Sequence, residues 1–194
     1  MRRTLVAVML AVLVFPVASV TVSAQIRAQV AADISPPWDK GIQPINRDNY
    51  WNAVECGKQG GQNPPCVFYD TGLCRNADFE LALFTPYKMV AYEVWRVVRQ
   101  RQPAPTPSYQ EAQRTRVTVG VKPVKGSKNP VTAVAIKREG RTVKPVSQSI
   151  DTAEASFTFD FPAFAATADI TIDLVGKAAT RSCLVEQAVL ARFR

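Results

Sequence analysis

The sequence predicts an α+β protein: a disulfide-tied α/β half first, then an antiparallel β-sandwich. Three observations predict it. One segment, 86–101, has a strong amphipathic helical period, three of the four cysteines lie before position 75, and short alternating apolar segments follow a proline-rich stretch at 103–107.

In chain order, residues 1–24 come first and have the three-part form of an export signal. Arg2 and Arg3 give a positive start, Leu5 to Phe15 is unbroken apolar sequence, and Val22, Ser23 and Ala24 precede a cut expected at Gln25. The apolar stretch from Thr4 to Val22 approaches the length of a spanning helix, so a retained anchor is the rival reading. Pro16, Ser19, Thr21 and Ser23 favour cleavage, because a breaker and small polar residues belong to a cleavage region.

Residues 25–102 form the disulfide-containing α/β region. Its first stretch, with Pro36 and Pro37, reads as an exposed strap. Asn46 is placed to cap a helix through Tyr50, Trp51 and Val54, with Gly57 as its expected stop. A loop rich in Gly, Gln, Asn and Pro follows to Pro65, and Phe79, Leu81 and Leu83 then alternate as a strand. Thr85 before Pro86 is a strong helix start, since the hydroxyl accepts a terminal amide and proline is already at helical φ. Tyr87, Val90, Ala91, Val94, Trp95 and Val98 make one apolar stripe on that helix, with Lys88, Glu93, Arg96 and Arg99 off it. The stripe is expected to pack in a core.

Residues 103–112 read as a stiff proline-rich linker. Residues 113–194 then alternate at Thr115 to Val121, Val131 to Lys137, Thr142 to Val146, Ser156 to Phe161, and at Ile170, Ile172 and Leu174, before a last segment from Ser182. Glu139-Gly140 and Gly176-Lys177 are placed as turns. Six or seven short strands at this spacing predict a sandwich of immunoglobulin-like type. In size and strand rhythm this half is similar to bacterial immunoglobulin-like modules, without the buried cysteine–tryptophan–cysteine arrangement of antibody domains.

Cys56, Cys66, Cys74 and Cys183 are an even set in a chain addressed to an oxidising space, so two disulfides are expected. Zinc is the rival, but no C-x-x-C spacing is present and there is no histidine. All three pairings are open. The turn Asp70-Thr71-Gly72 suggests a hairpin joining Cys66 to Cys74, which would leave Cys56 for Cys183. In every pairing that uses all four, Cys183 reaches back to the first half.

Lys and Arg number 24 against 16 Asp and Glu, a net charge of +8 that becomes +6 without Arg2 and Arg3. Such a surface favours anionic partners. The charge is spread, however. Lys122, Lys125 and Lys128 at every third position, and Arg96, Arg99 and Arg101 at a helix end, read first as solvated surface and second as anion-binding groups.

The absence of histidine excludes Ser-His-Asp and Cys-His catalysis. Serine–lysine pairs and paired carboxylates stay formally open, and Asp70, Asp78 and Glu80 are merely close in sequence. Asp169, Thr171 and Asp173 share a strand face, where solvated surface explains them more simply than calcium. No cofactor and no specific nucleic-acid recognition is expected. The aromatic residues Trp38, Tyr50, Trp51, Phe68 and Tyr69 offer a ligand surface, with core packing as the competing use. The expectation is thus a non-enzymatic, periplasmic or secreted binding or scaffolding protein of the envelope or a secreted assembly, taking protein partners. A glycan-binding module using exposed aromatics is second, and a histidine-independent hydrolase third.

Overall fold

The computed structural model describes residues 41–151 and 153–193; the expected export signal and its cut, the strap prolines and Trp38 lie outside the described residues. The described chain is α+β, with helices and two antiparallel four-stranded sheets tied by two disulfides.

Helix α1 spans Arg47–Lys58, and the side chain of Asn46 accepts from the Asn49 amide at 2.8 Å as its cap. Gly57 does not stop this helix. It is buried within the last turn, where a Cβ would come within 2.6 Å of the Ala91 carbonyl oxygen and of the Val94 Cβ. Its smallness lets α1 lie against the helix that carries those residues, and Gln59 takes the C-cap instead. Helix α2, Pro65–Phe68, holds Cys66, so the expected hairpin between Cys66 and Cys74 is replaced by one helical turn and a coil.

Strand β1 spans Phe79–Phe84 and leads through Thr85 into helix α3, Pro86–Arg99. Thr85 is fully buried and its hydroxyl accepts from the Lys88 amide at 3.1 Å. The stripe is buried as expected at Tyr87, Val90, Ala91, Val94 and Trp95, but Lys88 is buried too. Within the proline-rich connector region a further short helix, α4, forms at Tyr109–Arg114 with Ser108 as its cap. These helices share an apolar cluster of their own, which includes Ile45, Val54, Val67 and Trp95.

The remaining strands are β2 (Val117–Pro123), β3 (Val131–Arg138), β4 (Arg141–Val143), β5 (Ser147–Ile150), β6 (Ala155–Phe159), β7 (Ile170–Gly176) and β8 (Thr180–Val185). A short helix α5, Gln187–Leu190, ends the fold. One sheet runs β1-β2-β6-β5 and the other β4-β3-β7-β8. Glu139 and Gly140 have φ of 48° and 74°, the left-handed pair that a two-residue hairpin between β3 and β4 requires. Period-two alternation sends Leu81, Val119, Phe157 and Phe159 from one sheet, and Ile136, Ile172 and Leu174 from the other, into one common core. Each such side chain contributes about 1.5–3 kcal/mol by leaving water. Phe161, expected to continue the alternation of Phe157 and Phe159, instead starts a single 3₁₀ turn, Phe161–Phe164.

β1 pairs along its whole length with β2, from Phe79 opposite Pro123 to Phe84 opposite Thr118. A strand that precedes the proline-rich segment is therefore part of a sheet whose other members follow it.

Candidate functional site

A cleft of about 590 Å³ opens where β1, the coil after α2 and α3 meet. Its floor is an ion pair. Lys88 Nζ donates to Asp70 Oδ1 at 2.5 Å and to Oδ2 at 2.7 Å, and Asp70 Oδ2 also accepts the Leu83 amide at 2.6 Å. Asp70 is 3% exposed and Lys88 4%. The Lys88 ammonium lies 4.8 Å from the Phe84 ring centroid and 5.6 Å from that of Tyr69, so aromatic faces supply part of the solvation that water gives elsewhere. Burial pulls the Lys88 pKa below its ordinary value, and the Asp70 carboxylate opposes that shift. Burial likewise raises the Tyr69 hydroxyl pKa, and that hydroxyl lies 3.2 Å from Thr85 Oγ1.

The rim carries charges of both signs in pairs: Arg75 with Glu80 at 3.0 Å and Lys122 with Glu154 at 3.5 Å. A Cβ at Gly120 would sit 2.8 Å from the Phe84 ring, so glycine leaves room for that ring against β2. A second cleft, about 500 Å³, runs along the far side of Phe84 and Tyr92 beside Met89 and Arg96. Tyr92 and Met89 are among the exposed large apolar side chains. Each carboxylate of the first cleft sits on a cation, so the arrangement offers aromatic faces and fixed charges.

The sheet edges differ in how they are finished. The outer edge of β1 is covered by the coil before it, through Leu81 N–H to the Cys74 carbonyl at 3.1 Å and Leu83 N–H to Asp70. The same coil ties to β8 by the Cys74–Cys183 disulfide, with Cα atoms 5.8 Å apart, and by Arg181 Nε to Asp78 Oδ2 at 2.6 Å. On the opposite side β5 forms the edge of the first sheet, and all four of its residues are exposed. Val146, just before it, and Ile150, its last residue, are 51% and 48% exposed, and no charged residue or proline lies between them.

The structure disperses the sequence-predicted aromatics. Tyr50 is buried, its hydroxyl donating to the Pro107 carbonyl, and packs edge-on against Trp51 and Tyr109. Trp51 is 46% exposed on the same helix. Tyr69 instead stacks at a tilt on Phe193, in the other cluster, and Phe68 packs edge-on against Trp95. The cysteines pair as Cys56–Cys66 and Cys74–Cys183, correcting the suggested pairing of Cys66 with Cys74 and Cys56 with Cys183. Asp173 pairs with Lys137 at 2.8 Å and accepts from Ser182, and Asp169 accepts the Gln187 amide. Among the described residues no three His, Cys, Asp or Glu side chains gather as a metal site, and no helix is long and apolar enough to cross a membrane. Sequence reasoning missed Lys88, which lies off the stripe, and β5, whose Ser-Gln-Ser has no apolar alternation.

No protein-family model, curated protein or solved structure matches the chain.

Proposed function

We propose that this is an exported, non-enzymatic binding or scaffolding protein of the cell envelope or a secreted assembly, built on an immunoglobulin-like sandwich and taking an extended polypeptide along β5. Two disulfides suit an oxidising, extracytoplasmic space. The strand orders β1-β2-β6-β5 and β4-β3-β7-β8 correspond to the A-B-E-D and C′-C-F-G sheets of that architecture, which supports the fold type. Architecture alone does not assign a function.

The observation that carries the reading is the contrast between edges. Proteins blunt free edges with charge, proline or a covering segment, because unpaired backbone groups recruit other chains. β1 is covered and β8 is cross-linked, whereas β5 presents the uncharged Ser147 to Ser149 between the exposed apolar Val146 and Ile150. That is the layout for strand addition, where backbone bonds give affinity and flanking side chains give preference.

The test is a library of extended peptides, with hydrogen exchange on the complexes. Bound peptides are expected to slow exchange at the β5 amides, and Ser147→Lys with Ser149→Lys to weaken binding at least tenfold while the melting temperature holds. Ligands that bind with β5 exchange unchanged would refute it. A glycan is the second reading, favoured by the exposed Tyr92 ring between the two clefts; retention on glycan arrays that Tyr92→Ala abolishes would shift the assignment there.

A further inference from the structure

One end of the sandwich gathers cations that are far apart in sequence. The β2–β3 loop carries Lys125 and Lys128, and the β7–β8 turn carries Lys177. Asn129 joins these loops: its Nδ2 donates to the Ala179 carbonyl at 2.9 Å, and its Oδ1 accepts the Ala178 and Ala179 amides at 2.8 and 3.2 Å. The Lys177 amide donates to the Pro130 carbonyl at 2.9 Å. A Cβ at Gly176 would collide with the Asn129 side chain, so glycine there allows the junction to close. Both loops are thereby held at one end by buried polar contacts.

The neighbouring acids are largely used. Asp78 is engaged by Arg181, Asn129 and Ser127, and Glu154 by Lys122. Among the described residues no carboxylate lies within ion-pair distance of Lys125, Lys128 or Lys177, and all three are exposed. Beside them opens a slot of about 330 Å³ between the two sheets, walled by Phe79, Val121, Val131 and Ala155 and bordered by Asp151. Pro123, Pro130 and Ile150, all exposed, stand at the slot. Unpaired lysines interleaved with exposed apolar residues are the pattern of a headgroup interface, where cations meet phosphates and apolar groups enter the acyl boundary. A soluble polyanion would use the lysines and leave the apolar residues without a role.

We propose that this end of the molecule docks on an anionic phospholipid surface, with Lys125, Lys128 and Lys177 on the phosphates and Ile150, Pro123 and Pro130 at the acyl boundary. This goes beyond the strand-addition reading and does not rest on it, since it uses the loops at one end and, of β5, only its last residue, Ile150.

The experiment is co-sedimentation of the exported protein with vesicles of phosphatidylglycerol mixed with phosphatidylcholine, against phosphatidylcholine alone. Binding is expected only where phosphatidylglycerol is present, and is expected to weaken as salt shortens the screening length to about 10 Å near 0.1 M. Reversing all three lysines to Glu is expected to lower partitioning by at least roughly a hundredfold, since each lysine at such a surface contributes about fivefold. Ile150→Ser is expected to lower it severalfold at unchanged charge. Reversal of Arg114, Arg141 and Lys144, which lie outside this end, serves as the control and is expected to do less, and melting curves confirm that each variant folds. Equal loss in the control triple, or binding that survives the lysine reversal, would overturn the proposal. So would displacement by a soluble heparin fragment with no effect of Ile150→Ser, which would point to a polyanion.

Discussion

At Lys88 and Asp70 two opposite charges are almost wholly out of water, and each is tolerable because the other is there. Breaking such a pair from one side leaves an uncompensated buried charge, which costs about 3–5 kcal/mol. Lys88→Met is therefore expected to destabilise by that amount in urea melts. Adding Asp70→Asn, which keeps an acceptor for the Leu83 amide, is expected to restore more than half of it. Asp78 gives a pH signature. The Arg181 guanidinium first, then the Asn129 amide, holds its carboxyl below the usual carboxylate range. A carboxyl depressed in the fold contributes stability that is present above its unfolded pKa and disappears as pH falls through the folded one. Melting temperature is thus expected to begin dropping near the unfolded value of about 3.9 and to keep falling below it. Asp78→Asn is expected to melt lower at neutral pH and to show a shallower acid decline.

Elements depend on contacts that residue patterns encode unevenly. Gly57 lets α1 and α3 touch, and Gly57→Ala is expected to cost about 1–3 kcal/mol through overpacking, measured by chemical denaturation. Helix α3 and its Thr85 cap were fully legible, because a 3.6-residue period and a Thr-Pro start are local signals. So were β7 and the Glu139-Gly140 hairpin. What the sequence concealed was long-range. Gly57 reads locally as a helix stop, and only the approach of Ala91 and Val94 makes it a packing position. Lys88 reads as a solvent residue, because nothing near it in sequence announces Asp70 eighteen positions earlier. β5 lacks alternation because none of its four residues is buried. The candidate cleft was therefore invisible as a site, although the residues that build it were all in view. Among the described residues, Trp51 alone of the aromatics singled out combines the expected exposure with a place on a regular element, since Tyr50 and Tyr69 are drawn into packing.

Across the whole molecule, β1 is the element that joins the two parts of the chain, since it leads into α3 and pairs with β2. A fragment starting at residue 104 would expose the β2 edge and lose Phe79, Leu81 and Leu83 from the core, and is expected to aggregate or to show no cooperative melt. The two disulfides differ in reach, closing 10 and 109 residues. Loop-closure entropy assigns them about 2.7 and about 4.8 kcal/mol, so replacing Cys74 and Cys183 with Ser is expected to lower stability more than replacing Cys56 and Cys66. The larger closure also sets how the molecule bears load. Tension applied between its two ends passes from Cys74 straight to Cys183, so the seven strands β2–β8 up to that sulfur, together with β1, never feel the pull. Stretched in oxidising surroundings, the chain would yield only its outer segments. Reduction would release about 360–390 Å of extra contour, the span of 109 residues drawn out. A part placed between two moving surfaces would in this way keep its shape under strain, and optical-tweezer extension with and without reductant reads the difference directly.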